Sequence, residues 1–256
     1  MSKIKPLKDN NQVEIISLSS GLLGEKFCAH QVELGQKRLQ EFNLLPRFSK
    51  HCLMGLDFID KNPDKRAKDL INAFLDKNIK GIICAIGGFD TYRTIPYILD
   101  NPEYVAIIKA NPKIFLGYSD TTINHLMLNK LNVPSFYGQA FITDLAELNT
   151  EMLPYNKDAF EWLFKGDKKE YKISDVWYEE RKDFSSKSLN TSRNIHKEEY
   201  GFLLLQGKSK FSGILLGGCL ESIAALLDKN NSAQYEINKN TIYLQIRLIL
   251  IKKFYY

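Results

Sequence analysis

Apolar residues along this 256-residue chain fall into two alternating rhythms. Short uninterrupted runs recur: "VEIISLSSG" (Val13–Gly21), "GIICAIGG" (Gly81–Gly88) and "KIFLG" (Lys113–Gly117). Runs that are apolar at every position read as strands of a parallel sheet, because helices cover both of its faces. Between them the apolar positions spread to helical spacing. Cys28 to Phe42 carries Val32, Leu34, Leu39 and Phe42 among charges. "PDKRAKDLINAFLDKNIKG" places Ala67, Leu70, Ile71, Phe74 and Leu75 on one side, with Pro63 near its start and Asn78 near its end. A short helix is expected at Ile95–Leu99, another from Thr121 to Leu131, and "VPSFYGQAF" reads as a further strand. The expected class is α/β, a parallel sheet covered on both faces, with ligands at the carboxyl ends of the strands.

The rhythm breaks between Lys165 and Lys210, where "KGDKKEYK" and "KDFSSKSLNTSRNIHKEEYG" are polar and lack apolar periodicity. That composition suits a linker or a mobile surface excursion. A second unit then begins with "KFSGILLGGCLESIAALLDK", a strand, a Gly-Gly turn and a helix. The expected organisation is an N-terminal α/β domain over residues 1–165, the excursion over 166–210, and the start of a smaller C-terminal domain over 211–256.

Composition narrows the classes. Hydrophobic residues make up 44% and charged ones 25%, ordinary values for a globular domain. "MSKIKPLKDNNQ" has no apolar core of a signal sequence, and no apolar run reaches the length of a membrane span. Cys28, Cys52, Cys84 and Cys219 are widely spaced among apolar neighbours, so they read as buried thiols in a reducing cytoplasm. No two histidines or cysteines have ligand spacing, so no metal is expected. The net charge is +5, but Lys239, Arg247, Lys252 and Lys253 in the last twenty residues supply +4 of it without an acid among them. The rest is nearly neutral, which argues against a nucleic-acid or membrane partner.

Two strand ends carry candidate chemistry. In "IFLGYSDTT", Ser119 follows an apolar strand and precedes a helix, with Gly117 two residues before it. A hydroxyl on such a corner can act as a nucleophile beside unpaired helix N–H groups that stabilise an oxyanion. Thr121 stands where a GxSxG elbow has its second glycine, and Ser119 or Asp120 could instead simply cap the helix. In "IGGFD", Gly87 and Gly88 could offer an oxyanion N–H, form a phosphate loop, or make a tight turn. A serine nucleophile needs a base. His125 lies about 240° around its helix from Ser119 at ~100° per residue, and His30, His51 and His196 read as structural or solvent-exposed. Glu221 reads as a first-turn acid favoured by the helix dipole. Trp177 could stack a ligand ring or pack a domain junction.

Taken in order, "PDKRAKDLINAF", "IKGIICAIGGFDTYRTIPYI", "NPKIFLGYSDTTINHLML", "FYGQAFITDLAE" and "GILLGGCLES" resemble the LD-carboxypeptidase and microcin C immunity family of serine carboxypeptidases. The resemblance covers most of residues 13–228. It implies Ser119 as nucleophile and an oxyanion hole from the backbone N–H of Asp120 with one from Gly87 or Gly88. It implies hydrolysis of a terminal amide bond without metal or cofactor, in a small peptide, a murein peptide or a peptide–nucleotide conjugate, with a homodimer as a candidate assembly. "DTYR" and Trp177 look closer to the microcin-immunity branch, where a tryptophan in this region holds the nucleotide end.

One departure stands out. Family members place the triad glutamate directly after the strand that aligns with "TIYL", and a Gly-His pair further on. Here Gln245 follows "TIYL", and neither the glutamate nor the histidine is found. Gln245 has the shape of glutamate without the charge that would stabilise an imidazolium. The expectation is therefore a C-terminal domain truncated by a frameshift or stop near Leu244. Ser119-dependent activity would then be impaired; the alternative is a catalytically inactive ligand-binding α/β protein.

Overall fold

The computed structural model describes residues 4–166, 170–210, 212–227 and 241–245. The chain runs β1 (Gln12–Ile16), α1 (Ala29–Glu41), β2 (Leu45–Phe48), α2 (Leu56–Lys61), α3 (Pro63–Leu75) and β3 (Ile79–Cys84). It continues through α4 (Ile95–Leu99), α5 (Pro102–Ala110), β4 (Ile114–Gly117), α6 (Thr122–Lys130) and β5 (Phe136–Tyr137). A π-helical turn (Phe141–Leu145) and α7 (Pro154–Lys165) follow, then the antiparallel pair β6 (Val176–Tyr178) and β7 (Ile195–Lys197). The last described elements are β8 (Ile214–Gly218), α8 (Leu220–Leu227) and β9 (Thr241–Gln245), with β8 and β9 parallel.

β1 to β5 form one parallel sheet in the order β2-β1-β3-β4-β5, so the expected class is present. Strand alternation assigns the two faces. Val13 and Ile15 of β1 pack with Leu39, Phe141 and Phe160, while Ile16 packs on the opposite side with Leu70, Phe74, Phe115 and Leu126. Each of these side chains loses nearly all contact with water, a gain of about 1.5–3 kcal/mol apiece. From β1 the chain steps outward to β2, then crosses back to β3 on the other side. That reversal opens a crevice between the carboxyl ends of β1 and β3, where doubly wound sheets bind ligands. "SLSSG" and "IGGFD" are the two loops that leave it.

Several elements differ from the pattern-based reading. β2 contains Pro46, which has no N–H for a ladder; it is tolerated because β2 is an edge strand. α3 stops at Leu75, short of Asn78, where the Asp76 carboxylate accepts the Asn78 N–H (2.8 Å) in a turn. "VPSFYGQAF" yields only the two residues of β5, after which Gly138 donates to the last carbonyl of β4, that of Gly117 (3.1 Å). The polar excursion carries the β6–β7 pair, and Arg181 and Arg193 in the segment between the two strands both reach buried Glu147. Burial opposes ionisation of Glu147, but the two guanidiniums hold its carboxyl below the usual range. No helix among the described residues is long and apolar enough to cross a membrane. The apolar end of the tail, residues 246–256, lies outside the described residues.

His125 is a buried constraint on the carboxyl end of β4. Its Nε2–H donates to the Gly117 carbonyl (2.9 Å), and its Nδ1 accepts from the Ser135 hydroxyl (2.8 Å). Burial pushes its pKa down to about 4, against a weaker upward pull from Gly117, so the ring is neutral. A folded pKa below the unfolded value of ~6.5 stabilises the fold above that value and is lost as pH falls toward 4. Wild type should therefore lose about 2 kcal/mol more unfolding free energy than His125→Gln between about pH 7.5 and pH 5. Urea denaturation at the two pH values measures this; equal losses would contradict it.

Candidate active site

Ser119 occupies the turn between β4 and α6 with φ +60°, a left-handed conformation that costs a non-glycine residue about 1–3 kcal/mol. Three bonds hold it there. The Ser119 N–H donates to Tyr137 Oη (3.0 Å), and its carbonyl accepts from Thr122 Oγ1 (2.6 Å). Thr122 Oγ1 in turn accepts the Cys219 N–H (2.9 Å), so the start of the second unit braces the corner. The result is a sharp strand-to-helix turn with a partly exposed serine at its apex.

Gly87 and Asp120 frame that serine. A Cβ on Gly87 would lie 2.8 Å from Ser119 Cβ, 3.0 Å from its Oγ and 3.3 Å from the Asp120 N. Only glycine allows the β3 loop to approach so closely. The Gly87 carbonyl accepts the Ser20 N–H (3.3 Å), which joins the β1 and β3 loops across the crevice. Gly88 is pressed against Ser19, where a Cβ would meet Oγ at 2.2 Å. Beneath them the buried Asp120 carboxylate accepts from Ser19 Oγ (2.6 Å), the Thr91 N–H (2.9 Å) and Ser222 Oγ (3.3 Å). One side chain thus ties the ends of β1 and β3 and the helix α8 to the serine turn.

A second anchor escaped the sequence reading. Arg66 is fully buried and donates to both Asp90 oxygens (2.8 and 3.1 Å) and to the carbonyls of Leu18 (3.1 Å) and Ser19 (3.2 Å). The available signal was its position four residues before Leu70, on the apolar face of α3, where an unpaired charge would be untenable. Tyr137 and Ser222 carried no signal, because their roles depend on contacts distant in sequence.

The four thiols do not share one environment. Cys28, Cys52 and Cys84 are buried, and burial raises Cys52 and Cys84 to about 12. Cys219 corrects the expectation of four buried thiols: it is half-buried, and its Sγ donates to Glu221 Oε2 (3.0 Å) at the start of α8. Among the described residues no group of three or more His, Cys, Asp or Glu could hold a metal ion.

The remaining candidates fall in two places. Trp177 lies on β6, half-exposed, and stacks on its cross-strand neighbour His196 with centroids 4.2 Å apart. Gln245 ends β9 in register with Gly218, so its backbone reaches the strand end that braces the serine turn through Cys219 and Thr122. The histidines are engaged elsewhere: His30 with the Phe184 carbonyl, His51 with Asp69, His196 with Glu179, and His125 as described. None of them hydrogen-bonds the Ser119 hydroxyl among the described residues. The nearby phenols also stay protonated, since burial lifts Tyr118 to about 12 and raises Tyr137.

The structure is thus a doubly wound α/β sheet with a strained serine beside a Gly-Gly loop at its strand ends. Comparison narrows the class. Residues 13–138 match the model of the LD-carboxypeptidase N-terminal domain, and the chain is similar to the LD-carboxypeptidase and microcin C immunity family. A putative carboxypeptidase of Treponema pallidum is 34% identical over 139 residues, 54% of this chain and 39% of that one. The microcin C7 self-immunity protein MccF of Escherichia coli is 25% identical over 166 residues, 63% of this chain and 46% of that one. The matches thus span less than half the length of these curated relatives. Among solved structures, a MccF-like protein from Streptococcus pneumoniae in complex with AMP is 50% identical, with TM-score 0.82 over 88% of this chain and 65% of that one. A MccF-like protein from Bacillus anthracis, 24% identical, shares the fold with TM-score 0.77 over 94% of this chain and 68% of that one.

The Asp120 geometry yields a graded prediction. Asp120→Ala leaves the Thr91 N–H and the Ser19 hydroxyl without an acceptor in the interior, and each orphaned group costs about 1–3 kcal/mol. Asp120→Asn keeps one oxygen for those donors and turns its amide toward Ser222 Oγ, which can accept. Unfolding free energies should fall by about 2–5 kcal/mol in the alanine variant and by less than half of that in the asparagine variant. Equal losses in denaturant titrations would contradict the account.

Proposed function

We propose that this chain is a serine-type carboxypeptidase by descent, acting on the terminal amide bond of a small peptide or peptide–nucleotide conjugate through Ser119. The observation that carries the reading is the Ser119 corner itself: a strained serine whose Oγ lies against the Gly87 backbone. In this mechanism Ser119 Oγ attacks the scissile carbonyl carbon. The oxygen then carries negative charge, which in this reading the N–H groups of Asp120 and of Gly88 or Gly87 stabilise. Collapse of the intermediate expels the terminal amine and leaves an ester on Ser119, which water hydrolyses.

Turnover in this chain is proposed to be weak. Support comes from the engagement of all four histidines elsewhere and from Gln245 at the end of β9, where an uncharged amide cannot orient a base by charge. Catalysis without a triad member still reaches ~10³–10⁴-fold over water through the oxyanion hole and binding. A nucleotide-bearing substrate is favoured by the AMP held by the pneumococcal structure and by half-exposed Trp177, whose ring could face a base. The free thiols are consistent with a reducing cytoplasm. The alternative reading, a protein that binds such a ligand without turning it over, rests on the same engagement of the four histidines.

An assay of the 256-residue chain with an aminoacyl sulfamoyl adenosine and with a murein tetrapeptide separates these readings. Expected is slow release of the terminal residue from the nucleotide substrate, abolished in Ser119→Ala. Release that persists in Ser119→Ala would overturn the nucleophile. Fast, Ser119-dependent release would overturn the proposed impairment, and tight binding with no release would favour the binding protein.

A further inference from the structure

Phe89 is the most exposed large apolar side chain among the described residues, at 95%. Isolated exposed apolar residues are common, and exposure alone carries no meaning. What distinguishes Phe89 is that the chain on both sides of it is fastened. Upstream, the Gly87 carbonyl accepts the Ser20 N–H and Gly88 is pressed against Ser19. Downstream, the Asp90 carboxylate takes two bonds from buried Arg66 and one from Arg93 (2.8 Å). The Thr91 N–H then reaches Asp120 Oδ2, and the Thr91 hydroxyl donates to the Leu18 carbonyl (3.0 Å). A slack loop would lay a phenyl ring onto the protein, because burial of its area is favourable. Here the anchors hold the ring out, at the carboxyl end of the central strand β3 and one residue beyond Gly88.

We propose that Phe89 is a substrate-contact residue whose ring packs against an apolar or aromatic group adjoining the scissile carbonyl. The proposal rests on the reading of Ser119 as nucleophile. If Gly88 or Gly87 holds the carbonyl oxygen, the next side chain in the same rigid loop lies beside the substituent on that carbonyl. A ring carried at that place favours substrates with a planar or apolar group there and offers nothing to a small or charged one. The fastened backbone also matters for affinity, since the loop itself loses little freedom on binding and a phenyl side chain has only two rotatable bonds to order.

The test uses two fluorophosphonates with the same leaving group, one bearing a methyl and one a phenylpropyl substituent on phosphorus. Ser119 Oγ forms the new bond to phosphorus, the P–F bond breaks, fluoride leaves, and the hydroxyl proton passes to solvent. Labelling rates are followed by intact mass, with the site mapped by peptide analysis, for wild type, Phe89→Ala, Phe89→Leu and Ser119→Ala. Wild type should react ~10-fold faster with the phenylpropyl probe than with the methyl probe, the size of one good apolar contact. That ratio should fall to about 1–2 in Phe89→Ala and be intermediate in Phe89→Leu. Thermal melts should match wild type, because the ring touches nothing that folding depends on. A ratio near one in wild type, or one unchanged in Phe89→Ala, would overturn the role of Phe89 while Ser119 labelling stands. Absence of Ser119 labelling by either probe would overturn the nucleophile reading and this proposal with it.

Discussion

The Asp120 carboxylate is the interaction on which the arrangement depends. It is buried, and it gathers a hydroxyl from the β1 loop, an N–H from the segment after the β3 loop, and a hydroxyl from α8. A buried carboxylate is costly unless it is fully hydrogen-bonded, so these donors must arrive together or not at all. That requirement links Asp120 to Ser19 and Ser222, each about a hundred residues away in sequence, and to Thr91, 29 residues away. It also places the Asp120 N–H, through the same residue, directly behind Ser119. Structure and chemistry therefore share one anchor.

Around it the fold supplies position and rigidity. The crossing from β2 back to β3 creates the crevice, and the Gly87–Gly88 turn closes it to within van der Waals contact of the serine. His125 fixes the last carbonyl of β4, Tyr137 and Thr122 hold the left-handed serine, and Arg66 fastens the loops of β1 and β3. Strain at a turn persists only where the surroundings over-determine it, and the bonds here meet that condition. The proposed mechanism requires such rigidity, since oxyanion donors act by being in place before charge develops.

Much of this was legible along the chain. Uninterrupted apolar strands and 3.6-residue helical spacing placed β1, β3, β4, α1, α3 and α6, because parallel sheets bury both faces of each strand. Ser119, Asp120, Gly87 and Gly88 were singled out at strand ends, and the fold brings those ends together. The edge strand β2 was not legible, since Pro46 argues against a strand unless its edge position is known. Nor were Asp120's donors, Arg66's partners or the half-buried state of Cys219, all of which arise from contacts far apart in sequence. The motif resemblance carried the chemistry further than periodicity could, and it also exposed the mismatch at Gln245.

The central claim is that Ser119 becomes acylated. Attack of water on the ester needs a base, whereas the acidic leaving group of an aminoacyl sulfamoyl nucleotide departs without protonation, so an acyl-enzyme should accumulate when the wild-type chain meets that substrate. Rapid acid quench followed by peptide mapping reads this directly. The account predicts a mass increase equal to the acyl group on the peptide that contains Ser119. An adduct on another residue, or release of the terminal residue with Ser119 unmodified at every time point, would contradict it.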